Sequence, residues 1–216
     1  MDTSAHGALE LENVCLSLDG KPLFAPLRLR IAPGEAATVM GPSGCGKSSL
    51  LAYICGTLDP VFSSAGRVRL AGDDLDGRAP ENRAIGILFQ DDLLFPHLSV
   101  GDNLAFGLPP ETRGREQRRA LVDKALSDAG LDGMADRDPA TLSGGQRARV
   151  ALMRTLLSRP RALLLDEPFS KLDVALRDRV RDFVFEHALA NGIPTLLVTH
   201  DPADAEAAGG AVVELA

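Results

Sequence analysis

The sequence predicts an α/β fold with a mostly parallel sheet, an N-terminal antiparallel β subdomain and an inserted α-helical subdomain. Three observations predict it. Short apolar runs at Ala36–Met40, Ile85–Phe89, Ala162–Leu165 and Thr195–Thr199 each lead straight into a polar or glycine-rich turn, as buried strands with ligand-bearing carboxyl ends do. Near the N-terminus, apolar residues instead alternate with polar ones, the pattern of half-buried antiparallel strands. Between Asp91 and Pro139 the character changes to charged stretches of helical composition.

In the antiparallel part, Leu9, Leu11, Val14, Leu16 and Leu18 recur in near alternation, and Leu27, Leu29 and Ile31 alternate strictly with Arg28 and Arg30. After Pro33-Gly34, the strand Ala36–Met40 meets a glycine-rich turn at 41–47, and Ser48–Ile54 has the composition of a helix. Charged stretches such as Arg113–Leu131 place a helical lobe at about 91–158, inserted in a core of about 1–90 and 159–216, all one domain. Leu176–Ala190 puts Leu176, Val180, Phe183, Val184 and His187 on one helical face, opposite Arg177, Asp178, Arg181 and Asp182. This helix ends at Asn191-Gly192 before Pro194 and is expected to cover the sheet, with His187 packing rather than binding a ligand.

A chain of 216 residues with 45% hydrophobic and 25% charged residues has the composition of a folded globular protein. Its formal net charge of -7 argues against nucleic acid or an anionic membrane surface as a partner, because both select a basic face. No apolar run approaches the roughly 20 residues that span a bilayer, and the N-terminal MDTSAHGALE lacks an export signal, so the cytoplasm is the expected compartment. Cys15, Cys45 and Cys55 fall in no metal-ligand spacing and read as reduced thiols.

The segment Gly41-Pro42-Ser43-Gly44-Cys45-Gly46-Lys47-Ser48 matches the phosphate-loop pattern. Its glycines let backbone N–H groups curl around phosphates, and the helix that follows adds its positive end. Lys47 is placed to reach the β and γ phosphates and the Ser48 hydroxyl to ligate Mg²⁺, with Ser49 closing the nucleotide-binding set. Strand, loop and helix in this order make a P-loop NTPase core.

Leu163-Leu164-Leu165-Asp166-Glu167 is a buried strand ending in adjacent carboxylates, which are costly there unless they meet a cation or a proton-transfer task. Asp166 suits a water-mediated Mg²⁺ contact. Side chains alternate along a strand, so Glu167 points elsewhere and can act as base or polariser for a water aimed at the γ phosphate. Leu142-Ser143-Gly144-Gly145-Gln146 precedes a helical segment with Val150, Met153 and Leu157 on one face, building a second helix N-terminus open to anions. One nucleotide does not need two cradles so far apart in sequence, so the second is expected to close over the nucleotide of another protomer. His200 stands at the carboxyl end of the strand Thr195–Thr199, beside the expected phosphate position.

LSGGQ at 142–146, the phosphate loop at 41–48 and Asp166-Glu167 together resemble the nucleotide-binding subunit of ABC transporters. The resemblance extends over essentially the whole chain. Gln90 fits the family's Q-loop, Ser170-Lys171-Leu172-Asp173 its D-loop and His200 its switch histidine. It implies a head-to-tail homodimer that sandwiches two ATP molecules, each held by one phosphate loop and by Ser143 and Gly145 of the other protomer. It also implies that Gln90 touches Mg²⁺ and reports to a membrane subunit, that His200 holds the γ phosphate and attacking water, and that Asp173 helps organise the partner's site. Phe89–His97 resembles the importer version of the Q-loop, in which Leu93, Leu94 and Phe95 line a groove for a helix of the permease; a core-facing loop is the alternative.

The resemblance is nearest to importer subunits for iron(III), thiamine, polyamine or sulfate, which work with transmembrane permease subunits and, indirectly, a periplasmic substrate-binding protein. Such a subunit sits in the cytoplasm, peripheral on the inner face of the membrane. Because Ala216 follows soon after His200, a C-terminal regulatory domain is not expected. An ATPase for lipoprotein or drug export is the alternative within the family. A phosphotransferase would leave Glu167 and LSGGQ without a task, and an ABC protein of DNA repair or translation would call for a coiled-coil insert or a second ATPase domain.

Two positions depart from the family's pattern. Counting back 23 positions from Gly41, where an aromatic residue usually stacks on adenine, gives Leu18. Losing such a stack costs about 0.5–1.5 kcal/mol, so weak discrimination between adenine and guanine is expected. Lys171 stands where alanine is more familiar; an acidic partner across the dimer and plain solvation are both open. Cys45 inside the phosphate loop makes thiol alkylation a probe of that loop. Alkylation is expected to block ATP hydrolysis by the wild type while Cys45→Ala stays active under the same treatment, and equal sensitivity of the two proteins removes Cys45 as the cause.

Overall fold

The computed structural model describes residues 7–172 and 174–215; Asp173, the expected D-loop acid, lies outside them. The chain divides into two compact units. The first comprises Met1–Ile87, Arg161–Glu167 and Asp182–Ala216, and the second comprises Leu88–Pro160 and Pro168–Arg181.

The first unit contains an antiparallel sheet organised around β1 (Leu9–Leu18), which pairs with β2 (Lys21–Pro22), β3 (Leu27–Ile31) and β5 (Phe62–Leu70). A short β6 (Asp73–Asp74) closes the far edge on β5. The imperfect alternation of β1 has a physical cause. Asn13 sits at φ 52°, and the register with both β3 and β5 shifts there. The bulge resets the pleat by one residue, so that Leu9 and Leu11 before it and Val14 and Leu16 after it all reach the core. Gly66 lies against the bulge with φ 98°, and a Cβ there would meet the Asn13 carbonyl oxygen at 2.5 Å.

The second sheet of this unit has the order β10-β4-β9-β8-β7, with β4 (Ala36–Met40), β7 (Ile85–Leu88), β8 (Ala162–Asp166), β9 (Thr195–Val198) and β10 (Ala211–Glu214). The pairs β10 with β4, β4 with β9, and β8 with β9 are all parallel. Every residue of β8 and β9 is buried, as expected for strands covered on both faces. The observed β7 stops one residue before the expected limit, leaving Phe89 outside the strand and 39% exposed. Helix α1 (Lys47–Cys55) starts one residue earlier than its composition indicates, because left-handed Gly46 rather than a polar side chain forms its N-cap. At its other end the buried Arg83 donates to the carbonyls of Tyr53 and Ile54, placing a cation where the helix dipole is negative.

The second unit is helical: α2 (Val100–Gly107), α3 (Arg115–Asp128), α4 (Gly144–Leu157) and the first turns of α5 (Val174–Ala190). Helix α3 is shorter at both ends than the expected Arg113–Leu131, since Gly114 at φ 92° opens it and Ala129 closes it. The buried Arg149 of α4 donates to the carbonyls of Ala129 and Gly130, tying α4 to the end of α3. Val180, Val184 and Ala188 are the buried face of α5, whereas Phe183 and His187 are half-buried and face each other with ring centroids 5.9 Å apart. A short α6 (Pro202–Ala208) completes the first unit. Among the described residues, no helix is long and apolar enough to cross a membrane.

Candidate active site

The parallel register fixes three chain segments at one edge of the second sheet. Val39 of β4 and Asp166 of β8 both stand opposite Val198 of β9, so the three strands finish level with one another. The Thr199 amide donates to the Val39 carbonyl and the Glu167 amide to the Val198 carbonyl, carrying the pairing one residue past the strands. The phosphate loop, the Asp166-Glu167 pair and His200 therefore leave the sheet side by side.

Within the loop, Lys47 is 8% exposed and its ammonium donates to the carbonyls of Gly41 (2.7 Å) and Pro42 (2.8 Å). The loop thus holds the cation by its own backbone. Gly41 is required here by space: a Cβ would lie 2.7 Å from the Leu215 carbonyl oxygen and 2.9 Å from the Cys45 sulfur. The N-terminus of α1 has no side-chain cap and no acidic residue in its first turn. Its positive end is therefore left for an external anion to neutralise.

Asp166 is 8% exposed and accepts a hydrogen bond from the Ser48 hydroxyl. Burial raises its carboxyl above the ordinary carboxylate range; the Ser48 hydrogen bond and the nearby Lys47 oppose the shift, and the Glu167 charge adds to it. Oxygen donors from a hydroxyl and a buried carboxylate suit a small hard cation such as Mg²⁺. Among the described residues, no group of three or more His, Cys, Asp or Glu residues forms a closed metal cage.

Glu167 follows β8 with φ 47°, a left-handed backbone that a non-glycine residue rarely adopts without reason. This kink takes its side chain out of the strand's alternation, and Glu167 Oε1 lies 3.0 Å from His200 Nδ1. His200 rests on a turn fixed by residues that sequence reasoning passed over. The Thr199 hydroxyl donates to the buried Asp204 carboxylate (3.0 Å) and accepts from the Asp201 amide (3.1 Å), while Asp201 caps α6. The polar residues spaced through Thr199-His200-Asp201-Pro202-Ala203-Asp204 were the available signal.

The second unit carries the other expected residues. Ser143 is the N-cap of α4, and its hydroxyl accepts from the Gln146 amide (3.3 Å) while Gln146 Oε1 accepts from the Ser143 amide (2.9 Å). This capping box uses Gln146 internally and sets Ser143, Gly144 and Gly145 at the helix start. Leu142 is buried beneath it, and Gln90 is exposed. In the Phe89–His97 segment, Leu93 is 58% exposed and Phe95 is half-buried between the Arg154 guanidinium (5.2 Å) and Phe106 (4.7 Å). Asn103, fully buried, holds this segment by accepting from the Phe95 amide and donating to the carbonyls of Phe95, Leu98 and Ser99.

Residues 24–170 match the model of the ABC transporter family. The chain belongs to this family. It is accordingly an ABC ATPase, an ATP-binding subunit. It is 50% identical to the ABC transporter ATP-binding protein YnjD of Escherichia coli, itself uncharacterised, over 91% of this chain and 90% of that protein. It is 43% identical to the thiamine import ATP-binding protein ThiQ of a Ruegeria species, over 86% of this chain and 79% of that one. Among solved structures, the ATP-binding cassette MJ0796, a dimer in a post-hydrolysis state bound to ADP and Pi, superposes with a TM-score of 0.83 at 28% identity, covering 96% of this chain and 94% of that one.

Because burial raises Asp166, the folded ABC ATPase binds a proton there more tightly than the unfolded chain does. The Asp166 contribution to stability therefore falls as pH rises from the ordinary carboxylate range through the raised value, and a bound cation offsets that loss. Asp166→Asn is expected to leave the nucleotide-free thermal midpoint above neutral pH unchanged or higher, and to abolish the added stabilisation by Mg²⁺ with a non-hydrolysable ATP analogue. A lowered midpoint without nucleotide, or undiminished Mg²⁺-dependent stabilisation, contradicts this assignment.

Proposed function

We propose that this ABC ATPase works as a head-to-tail homodimer that binds and hydrolyses Mg-ATP to drive a solute through separate permease subunits, in the direction of import. The observation that carries the catalytic part is the alignment of three parallel strand ends, which places Glu167 within 3.0 Å of His200 beside the phosphate loop.

In this reading the phosphate loop, Gly41 to Ser49, holds the β and γ phosphates through its amides and Lys47. Ser48 and Asp166 would hold Mg²⁺, which would supply charge neutralisation on the phosphates. Glu167 accepts the proton of the attacking water as its oxygen bonds to the γ phosphorus and the bond to the leaving oxygen of ADP breaks. His200, tied to Glu167, keeps that water and the γ phosphate aligned. For Gln90, Asp173 and the Leu142–Gln146 signature acting in trans, the proposal rests on their motifs, and for the signature also on the capped, anion-ready start of α4.

The dimeric cassette of similar fold supports homodimerisation, and the thiamine import relative supports import. Exposed Phe89, Leu93 and Phe106 in the helical unit offer an apolar surface suited to a permease helix. The protein would then act on the cytoplasmic side of the membrane, with a periplasmic substrate-binding protein as an indirect partner. Glu167→Gln, which keeps the side-chain shape and removes the base, is expected to shift from monomer to dimer on size-exclusion chromatography with Mg-ATP. A variant that binds ATP yet remains monomeric, both alone and with permease, overturns the composite site.

A further inference from the structure

We propose that Lys171, Asp92 and Arg147 form a charged tie that couples the segment after Gln90 to both the signature helix and the D-loop turn of the same protomer. The inference rests on the functional reading above and adds residues that it leaves without a role.

All of its members lie in the helical unit. Lys171 Nζ is 3.5 Å from Asp91 Oδ1 and 3.8 Å from Asp92 Oδ1. The other oxygen of Asp92 is 3.4 Å from Arg147 Nε. Arg147 in turn donates through Nη1 to the Leu142 carbonyl at 2.6 Å, the residue before the Ser143 cap. One carboxylate thus joins two cations that come from different elements, Arg147 from α4 and Lys171 from the turn before α5. Lys171 is therefore not simply solvated, one of the two possibilities its sequence position left open; its acidic partners here are in its own chain.

Exposure separates the two aspartates. The Asp91 side chain is 87% exposed and screened by water, whereas Asp92 is 12% exposed, so the Asp92 contacts act through a lower dielectric. Packing adds a second connection. A Cβ on Gly145 would stand 3.4 Å from the Lys171 carbonyl oxygen and 3.5 Å from Leu172 Cδ2, so the D-loop turn lies directly against the first turn of α4. The Leu172 carbonyl accepts from Arg177, fixing the same turn on α5.

Exposed ion pairs contribute little to stability individually. A carboxylate shared between three segments has another consequence: displacing the Gln90 segment must either drag the signature start and the D-loop turn with it or break the tie. Lys171 and Asp92 are positioning residues in this scheme, acting on the composite site through backbone they hold.

The test compares ATP hydrolysis, ATP affinity and thermal midpoint in full-length wild type, Lys171→Ala, Lys171→Arg, Asp92→Asn and the Lys171→Ala/Asp92→Asn double variant, with Glu167→Gln as the inactive reference. Lys171→Ala is expected to lower kcat about three- to tenfold, as loss of a modest coupling does, while KM for ATP and the thermal midpoint hold. Lys171→Arg restores the rate, and the double variant is no worse than the more impaired single one. A wild-type kcat in Lys171→Ala, an equal defect in Lys171→Arg, or additive defects in the double variant overturns the tie. Substantial hydrolysis by Glu167→Gln would instead overturn the functional reading, so the two failures are distinguishable.

Discussion

In-register parallel pairing of β4 with β9 and of β9 with β8 is the constraint on which the active site depends. Val39 and Asp166 both stand opposite Val198, so a slip of one residue between β8 and β9 would move Asp166 and Glu167 by about 3.3 Å along the strand relative to His200. Leu163, Leu164, Leu165, Leu196, Leu197 and Val198 are all fully buried, so the strands that carry the site residues are anchored in the core. Packing in the strand middles thus holds in place the strand ends that carry Asp166, Glu167 and His200.

Around that edge the electrostatics are unbalanced in a consistent direction. The start of α1 carries no acidic residue and no side-chain cap, and Lys47 is buried against carbonyl oxygens. Asp166 is buried with only partial compensation. Each feature is unfavourable or neutral in the protein alone and becomes favourable when an anion and a divalent cation arrive together. The left-handed backbone of Glu167 belongs to the same set, a local cost kept where it aims a side chain at His200. The helical unit shows the opposite policy: Ser143, Gln146, Asn103, Arg118 and Arg149 all satisfy backbone groups of their own unit.

Much of this was legible in the sequence because glycine spacing, apolar runs and terminal carboxylates each have a direct physical reading. Ala36–Met40, the loop beyond it and the strand ending at Asp166 follow from pattern alone. What escaped has identifiable causes. Strand β5 begins Phe62-Ser63-Ser64-Ala65-Gly66, whose small polar residues hide a strand that is held by pairing to β1 rather than by its own burial. Strand β10 is an edge strand with largely exposed residues, so no apolar period marks it. The Asn13 bulge is visible only as an imperfection in the alternation of β1. The contacts of Lys171 with Asp91 and Asp92, about 80 residues away in sequence, depend on tertiary placement that local periodicity does not encode.

The most direct measurement is the rate of phosphate release from Mg-ATP by Glu167→Gln and by His200→Ala, with ATP affinity determined separately on the same preparations. If the strand ends assemble a hydrolytic site, both variants lose about a hundredfold or more in rate, the scale of a positioned general base, while binding ATP within about threefold of wild type. Retention of most of the wild-type rate by Glu167→Gln, or a loss of ATP binding that accounts for the lost rate, would contradict the assignment of Glu167 and His200 as the pair that activates water.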